Sequence, residues 1–455
     1  MMTNEKDKTV KMDMLHGPLL GKIILFALPL AAGSMLQQLF NAVDIAVVGR
    51  FSTSQALAAV GSNSPVITLI LNLFVGISVG ANVVIANLIG QGKRERISDA
   101  VHTAITVALI SGIFLLLLGQ VIAKPLLIMM STPDDVLDLA VLYLRLYCLG
   151  MPFIMLYNFG ASILRSIGDT RRPMYCLIIS GVLNAILNLI FVIFFHMSVS
   201  GVAIATVISN ITSSMMVLRL LIKEKGEVHF SFKNLHVDGK CLKQMLRIGV
   251  PAGIQGMVFS FSNVLIQSAI NGFGSDVVAG SAVAVNFEYI CYFMINGFNQ
   301  AATTFIGQNY GAGEMTRCKK VWRICFICGI AFCACLNVSF FFLRGSLVTL
   351  FTTDATVAEY AFIRMRNVLL LQCLAATYEI TGASLRAYGY SMTPSVLMIF
   401  GTCVLRVLWV YTVLVRYHSY TVLLGVYPFT WIATGSLLIV SYLILLKRIQ
   451  KKLLQ

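Results

Sequence analysis

Charge is scarce in this chain. Only 12% of its 455 residues are Asp, Glu, Lys or Arg, against about 25% in an ordinary soluble domain. So few polar groups cannot cover a surface facing water on all sides, which excludes a conventional soluble fold. A phosphate-binding Gly-rich loop ending in Lys-Ser/Thr is also missing, and this counts against a pump driven directly by ATP. The six histidines stand at no metal-ligand spacing, and no nucleophile is paired with a base inside the apolar segments. A membrane-embedded enzyme would need one or the other. An extended basic domain is absent too. The net charge of +15 comes from residues in short segments between apolar runs, which fits topology signalling and gives no basis for nucleic-acid binding. The first 22 residues are polar, with Lys6, Lys8, Lys11 and Lys22, and carry no pattern of a cleavable signal peptide.

Apolar runs are what the chain has in abundance. Hydrophobic residues make up 58% of it. They recur in stretches of roughly 20 residues, each long enough to cross a bilayer. Twelve spans are expected, near 23–49, 57–89, 98–123, 137–164, 174–196, 201–222, 244–270, 277–306, 321–343, 357–385, 395–415 and 422–446. Backbone groups in lipid must bond within the chain, and runs this long and uniform favour helices over barrel strands. The expected class is therefore an all-α integral membrane fold. With both termini inside, 26 of the 34 Lys and Arg fall on the cytoplasmic side, the asymmetry the positive-inside rule requires. The eleven cysteines, including the Cys325/Cys328 pair, read as small packing residues, because no partner pair stands at zinc spacing.

The chain also reads as two copies of one unit. A shift of 222 aligns Pro29 with Pro251 and Asn41 with Asn263, and a shift of 221 aligns Leu164-Arg165 with Leu385-Arg386 and Pro173 with Pro394. Each copy has six spans, so the copies share an orientation, related by a pseudo-twofold axis along the membrane normal around a central cleft. The expected division is an N-lobe over 1–222, a cytoplasmic linker over 223–243 and a C-lobe over 244–455.

A charge at mid-membrane costs about 2.5–3.5 kcal/mol on insertion scales, so polar residues in the spans are the functional candidates. Ser34, Gln37, Asn41 and Asp44 share one face of span 1. Asp44 is the candidate carboxylate for a proton or Na⁺, weighed against a topological acid paired with Arg50. Asn184 and Asn188 share one face of span 5 and offer amide oxygens to a hard cation, weighed against interhelical packing. Thr206 and Asn210 in span 6 extend this polar group. In the second half, Glu288 and Glu379 are the intramembrane acids. The copy of Asp44 is Ile266, so the halves carry their acids differently, and we expect divided labour: ion in one lobe, substrate or a second ion in the other. For Glu379 the competing reading is an ion pair with Arg145, Arg364 or Arg366, and for Glu288 a buried protonated donor. Phe287, Tyr289, Tyr292 and Met294 are candidate lining for lipophilic cations. The two Leu-Arg-x-x-Gly turns read as structural or gating elements.

Four stretches resemble the multidrug and toxic compound extrusion (MATE) family. They are Asp44-Ile45-Ala46-Val47-Val48-Gly49-Arg50, Leu164-Arg165-Ser166-Ile167-Gly168-Asp169-Thr170, Gly201-Val202-Ala203-Ile204-Ala205-Thr206 and Ile306-Gly307-Gln308-Asn309-Tyr310-Gly311-Ala312-Gly313. The resemblance implies export of small, often cationic organic compounds in exchange for H⁺ or Na⁺ by alternating access. It places Asp44, Asn184 and Thr206 in the family's cation site. Asn188 falls where many members carry Asp, which removes a carboxylate. Glu288 resembles an eighth-helix acid of part of the family, whereas Glu379 departs in its distance from the Leu-Arg turn. We expect no resident cofactor or metal beyond a transient Na⁺ at Asp44, Asn184 and Asn188. We further expect a protein that works as a monomer in a prokaryotic plasma membrane, with both termini cytoplasmic. The competing reading is a flippase for a lipid-linked sugar or cell-wall precursor.

Overall fold

The computed structural model describes residues 12–130 and 132–453. Among them every regular element is helical. Lys6, Lys8 and Lys11 lie outside the described residues.

Among the described residues eleven helices are long and apolar enough to cross a membrane, and a twelfth span is a pair bent by 46°. In chain order they are α1 (Leu19–Phe51), α2 (Ser54–Gly90), α3 (Arg94–Met129), α4 (Asp134–Leu149 and Met151–Ser166), α5 (Arg171–Phe194) and α6 (Ser198–Lys223). Then follow α7 (Gly239–Asn271), α8 (Ser275–Gly311), α9 (Met315–Phe342), α10 (Ala355–Ala387), α11 (Met392–Arg416) and α12 (Tyr420–Lys451). Each expected span has its helix. The bend in α4 falls at Gly150, with Pro152 just inside the second segment, where proline has no N–H to give the preceding turn.

The described chain packs as two compact units: residues 12–13 with 32–253 form the first, and residues 14–31 with 254–453 form the second. The division differs from the one expected at the polar linker. It runs through α1 and α7 instead, two residues past Pro29 and two past Pro251 in the helix interiors. The linker belongs to the first unit by its own bonds. Ser231 N donates to His102 Nε2 at 3.2 Å and Asp238 N to Thr103 Oγ1 at 2.9 Å, and Phe230 is fully buried. The Asp238 carboxylate caps α7, and the Cys241 N–H it accepts at 2.7 Å holds it below the usual carboxylate range.

In the first unit α7 packs on α2 through glycines. A side chain at Gly76 would meet the backbone of Gly253, one at Gly80 the backbone of Met245, and one at Gly249 the backbone of Ile77. Small residues four apart on both helices let the backbones touch, the usual device where lipid removes any hydrophobic drive between helices. Buried amides add bonds: Asn63 Nδ2 donates to Ala140 O at 3.0 Å and Asn82 Nδ2 to Ser162 O at 3.0 Å. In the second unit aromatic pairs fill the core, among them Trp322 on Tyr442 with centroids 4.6 Å apart. The eleven cysteines are free thiols, and Cys325 is a fully buried packing residue.

Two helices widen into a π-helical turn, α5 at Ile190–Phe194 and α11 at Phe400–Val404. Such turns disturb the regular bonding and recur at functional sites. The first follows Asn188 by two residues, and the second precedes Arg406 by two.

Candidate functional site

The first unit gathers the expected polar residues of α1, α5 and α6 into one chain of hydrogen bonds. Asn188 Nδ2 donates to Asp44 Oδ1 and to Asn184 Oδ1 at 3.2 Å. Asn184 Nδ2 reaches Thr206 Oγ1 at 3.4 Å, and Thr206 Oγ1 donates back to Val202 O at 2.9 Å. The spacing of four between Asn184 and Asn188 puts both amides on one face of α5. Asn188 is fully buried and Asn184 nearly so. Asn188 Oδ1 is buried without a donor among the described residues. An acceptor left so in an apolar interior is costly, and amide oxygens suit a hard cation. Tyr143 and Tyr147 on α4 lie close enough to interact electrostatically with Asp44. Gln37 and Asn41 are exposed, Ser34 and Asn210 half-buried; they stand outside this chain of bonds.

The second unit holds a cavity of about 190 Å³. Its wall comes from α7, α8, α10, α11 and α12 and includes Phe259, Tyr289, Tyr292, Tyr378, Tyr427 and Trp431. Glu288, Arg364 and Arg406 also line it. Glu288 and Arg364 form a two-pronged ion pair, Nε to Oε1 at 2.6 Å and Nη2 to Oε2 at 2.9 Å. Arg364 Nη1 donates to Ser281 Oγ at 2.7 Å, and Gln372 Nε2 to the Glu288 carbonyl at 2.9 Å. Glu379 sits behind the wall, accepting from Tyr292 OH at 3.2 Å and Asn299 Nδ2 at 2.9 Å.

Both Leu-Arg turns close on a glycine with positive φ, 91° at Gly168 and 87° at Gly389, a conformation open to glycine at no steric cost. Asp169 is buried and bonds Arg172, which reaches on to Glu224 at 2.9 Å. Arg386 donates to Gln255.

Residues 29–190 and 251–412 each match the family described as MatE. The chain belongs to the MatE family. The two matches are offset by 222 residues, the shift that aligns Pro29 with Pro251, so the internal duplication is that of the family itself. Among relatives of this MatE chain is a probable multidrug resistance protein, YoeA, of Bacillus subtilis, 29% identical over 83% of each chain. Another is a probable multidrug resistance protein, NorM, of Thermotoga maritima, 26% identical over 83% of this chain and 82% of that one. A solved structure described as MATE in the bent conformation has the same fold, with a TM-score of 0.87 and 24% identity over 97% of this chain and 98% of that one. A MatE chain of this fold is a multi-pass membrane protein of a transporter family.

The geometry distributes the sequence candidates unevenly. Asp44, Asn184, Asn188 and Thr206 meet in one network. Glu288 and Glu379 fall on the same unit but take different partners: Arg364, a candidate partner of Glu379 by sequence, pairs with Glu288. Tyr292 serves both the cavity wall and Glu379. Met294 is half-buried and outside the wall, and Phe287 packs on Phe340 and Phe351. The sequence reading passed over Arg406, Asn263, Tyr427 and Asn299. Arg406 stands as a charge inside an apolar run, which is one signal for it. The alignment of Asn263 with Asn41 was a second signal.

Proposed function

We propose that this protein exports small organic compounds across the plasma membrane by secondary antiport, with H⁺ or Na⁺ moving inward. The coupling ion binds at Asp44, with Asn184, Asn188 and Thr206 around it. Its binding changes the relative stability of the outward- and inward-facing states, and cargo leaves outward. Antiport needs the two ligands to disfavour each other in a common state. One charge moving inward through 100 mV supplies about 2.3 kcal/mol. The observation that carries this reading is the buried network on Asp44, in which Asn188 Oδ1 is left without a donor. Multidrug resistance in the names of two relatives supports the cargo class. The second unit, with Glu288, Glu379 and its aromatic wall, serves the substrate. The chain works as a monomer with both termini cytoplasmic.

The test is flux of a fluorescent lipophilic cation, with aromatic acids in parallel, in proteoliposomes under a pH gradient and, separately, a Na⁺ gradient. Movement of any of them against its own gradient, driven by either ion, supports antiport and names the ion. Flux indifferent to both gradients would sink it.

A further inference from the structure

The second copy carries a charge of opposite sign to the first, at a different position of the repeat. At the offset of 222 between the two family matches, Ile266 takes the register of Asp44 and Asn263 that of Asn41. Arg406 takes the register of Asn184 at this offset, one residue past the register set by Pro173 and Pro394. Where the first copy sets a carboxylate and amide oxygens, the second sets a guanidinium.

That guanidinium is poorly satisfied. Arg406 is 1% exposed, yet among the described residues Nη1 alone has a side-chain acceptor, Asn263 Oδ1 at 3.0 Å. Nε is buried without any acceptor. The rings of Phe259 and Tyr427 lie over it at 5.3 and 4.9 Å, which steadies the cation but supplies no counter-charge. The nearby carboxylates are engaged elsewhere. Glu288 is held at both oxygens by Arg364. Glu379 accepts from Tyr292 and Asn299 and interacts electrostatically with Arg386. Three guanidiniums thus face two carboxylates, and Arg406 is the one left over. A buried charge without a partner is strongly unfavourable, and a guanidinium edge matches a carboxylate or phosphate two-pronged. The cavity beside it is walled by aromatic rings and reaches exposed Asn263 and Gln267 at its rim.

We propose that this cavity binds an organic anion or zwitterion bearing an aromatic ring system, with its carboxylate or phosphate on Arg406 and its rings against Tyr427, Phe259 and Trp431. The site narrows the cargo of the transport reading to compounds with an acidic group. It rests on that reading only for the step from binding to export.

Calorimetry on the purified full chain in detergent tests it without any ion gradient, so it stands or falls apart from antiport. The probes share one ring skeleton: 2-naphthoate, 2-naphthyl phosphate and 2-naphthylmethylammonium. At least one acid is expected to bind tenfold or more tightly than the amine, a tenfold ratio being about 1.4 kcal/mol. Arg406→Gln should remove that preference, and Arg406→Lys should retain the sign of the preference while weakening the acid. Preference for the amine, or no acid binding at millimolar concentration, would overturn the proposal on the wild-type chain alone. So would wild-type acid affinity in folded Arg406→Gln. If Arg406→Gln does not fold, Arg406→Lys decides: acid affinity equal to wild type or an amine preference there counts against the guanidinium.

Discussion

Asn188 makes two kinds of contact at one position. Its amide N–H groups hold Asp44 and Asn184 in place, while its carbonyl oxygen is buried with nothing to accept. An Asp at this position would replace those donors with acceptors and set two carboxylates side by side. The present arrangement leaves Asp44 as the one ionisable group in the network. Asp44→Asn should fold with an unchanged thermal midpoint and lose ion-driven flux in proteoliposomes; wild-type flux from that variant would remove Asp44 from the coupling role. Glu288 and Arg364 argue differently, because their pairing is two-pronged and Arg364 is nearly fully buried. Glu288→Ala strands the guanidinium and should cost about 3–5 kcal/mol. The paired change Glu288→Leu with Arg364→Met should recover most of it in denaturant unfolding in micelles, since matched apolar replacements of buried pairs are often neutral or better.

At the scale of elements, the α2–α7 contact is set by glycines. A methyl at Gly76 would overlap Gly253, whereas one at Gly61, also on α2, would meet open space. Gly76→Ala should therefore destabilise by about 1–3 kcal/mol through overpacking. Gly61→Ala should be neutral or slightly stabilising, because glycine is the poorer helix former. Thermal unfolding of the two variants side by side checks this; equal midpoints would mean that the helices can move apart without loss. The glycine pairs four apart were present in the sequence, but spacing alone does not say which helix lies opposite. The π-helical turns of α5 and α11 had no signal there: Ile190–Phe194 is uniformly apolar, so any helical register looks alike, and Gly401 and Thr402 in the second turn occur in regular membrane helices too.

Across the whole molecule, the location of basic residues carries the orientation. With the 223–243 segment inside, an impermeant maleimide added to intact cells should label Asp276→Cys and leave Glu227→Cys unlabelled, in a chain whose own cysteines are replaced by alanine. The reverse pattern would invert the topology. Twelve apolar runs, the duplication and the shared face of Asn184 and Asn188 were legible beforehand, while the meeting of that face with Asp44 and Thr206 was implied only by the family resemblance. Run length is fixed by bilayer thickness, and a spacing of four fixes a shared helix face. Partner choice was not legible. Which arginine meets Glu288, which donors hold Glu379 and which guanidinium is left unpaired depend on how helices distant in sequence are set beside one another. The division of α1 and α7 between units has the same origin, since a proline in the run marks only a weak point in the helix. The sequence determined what each helix must bury; the tertiary packing decided which charges are cancelled and which remain to meet a ligand.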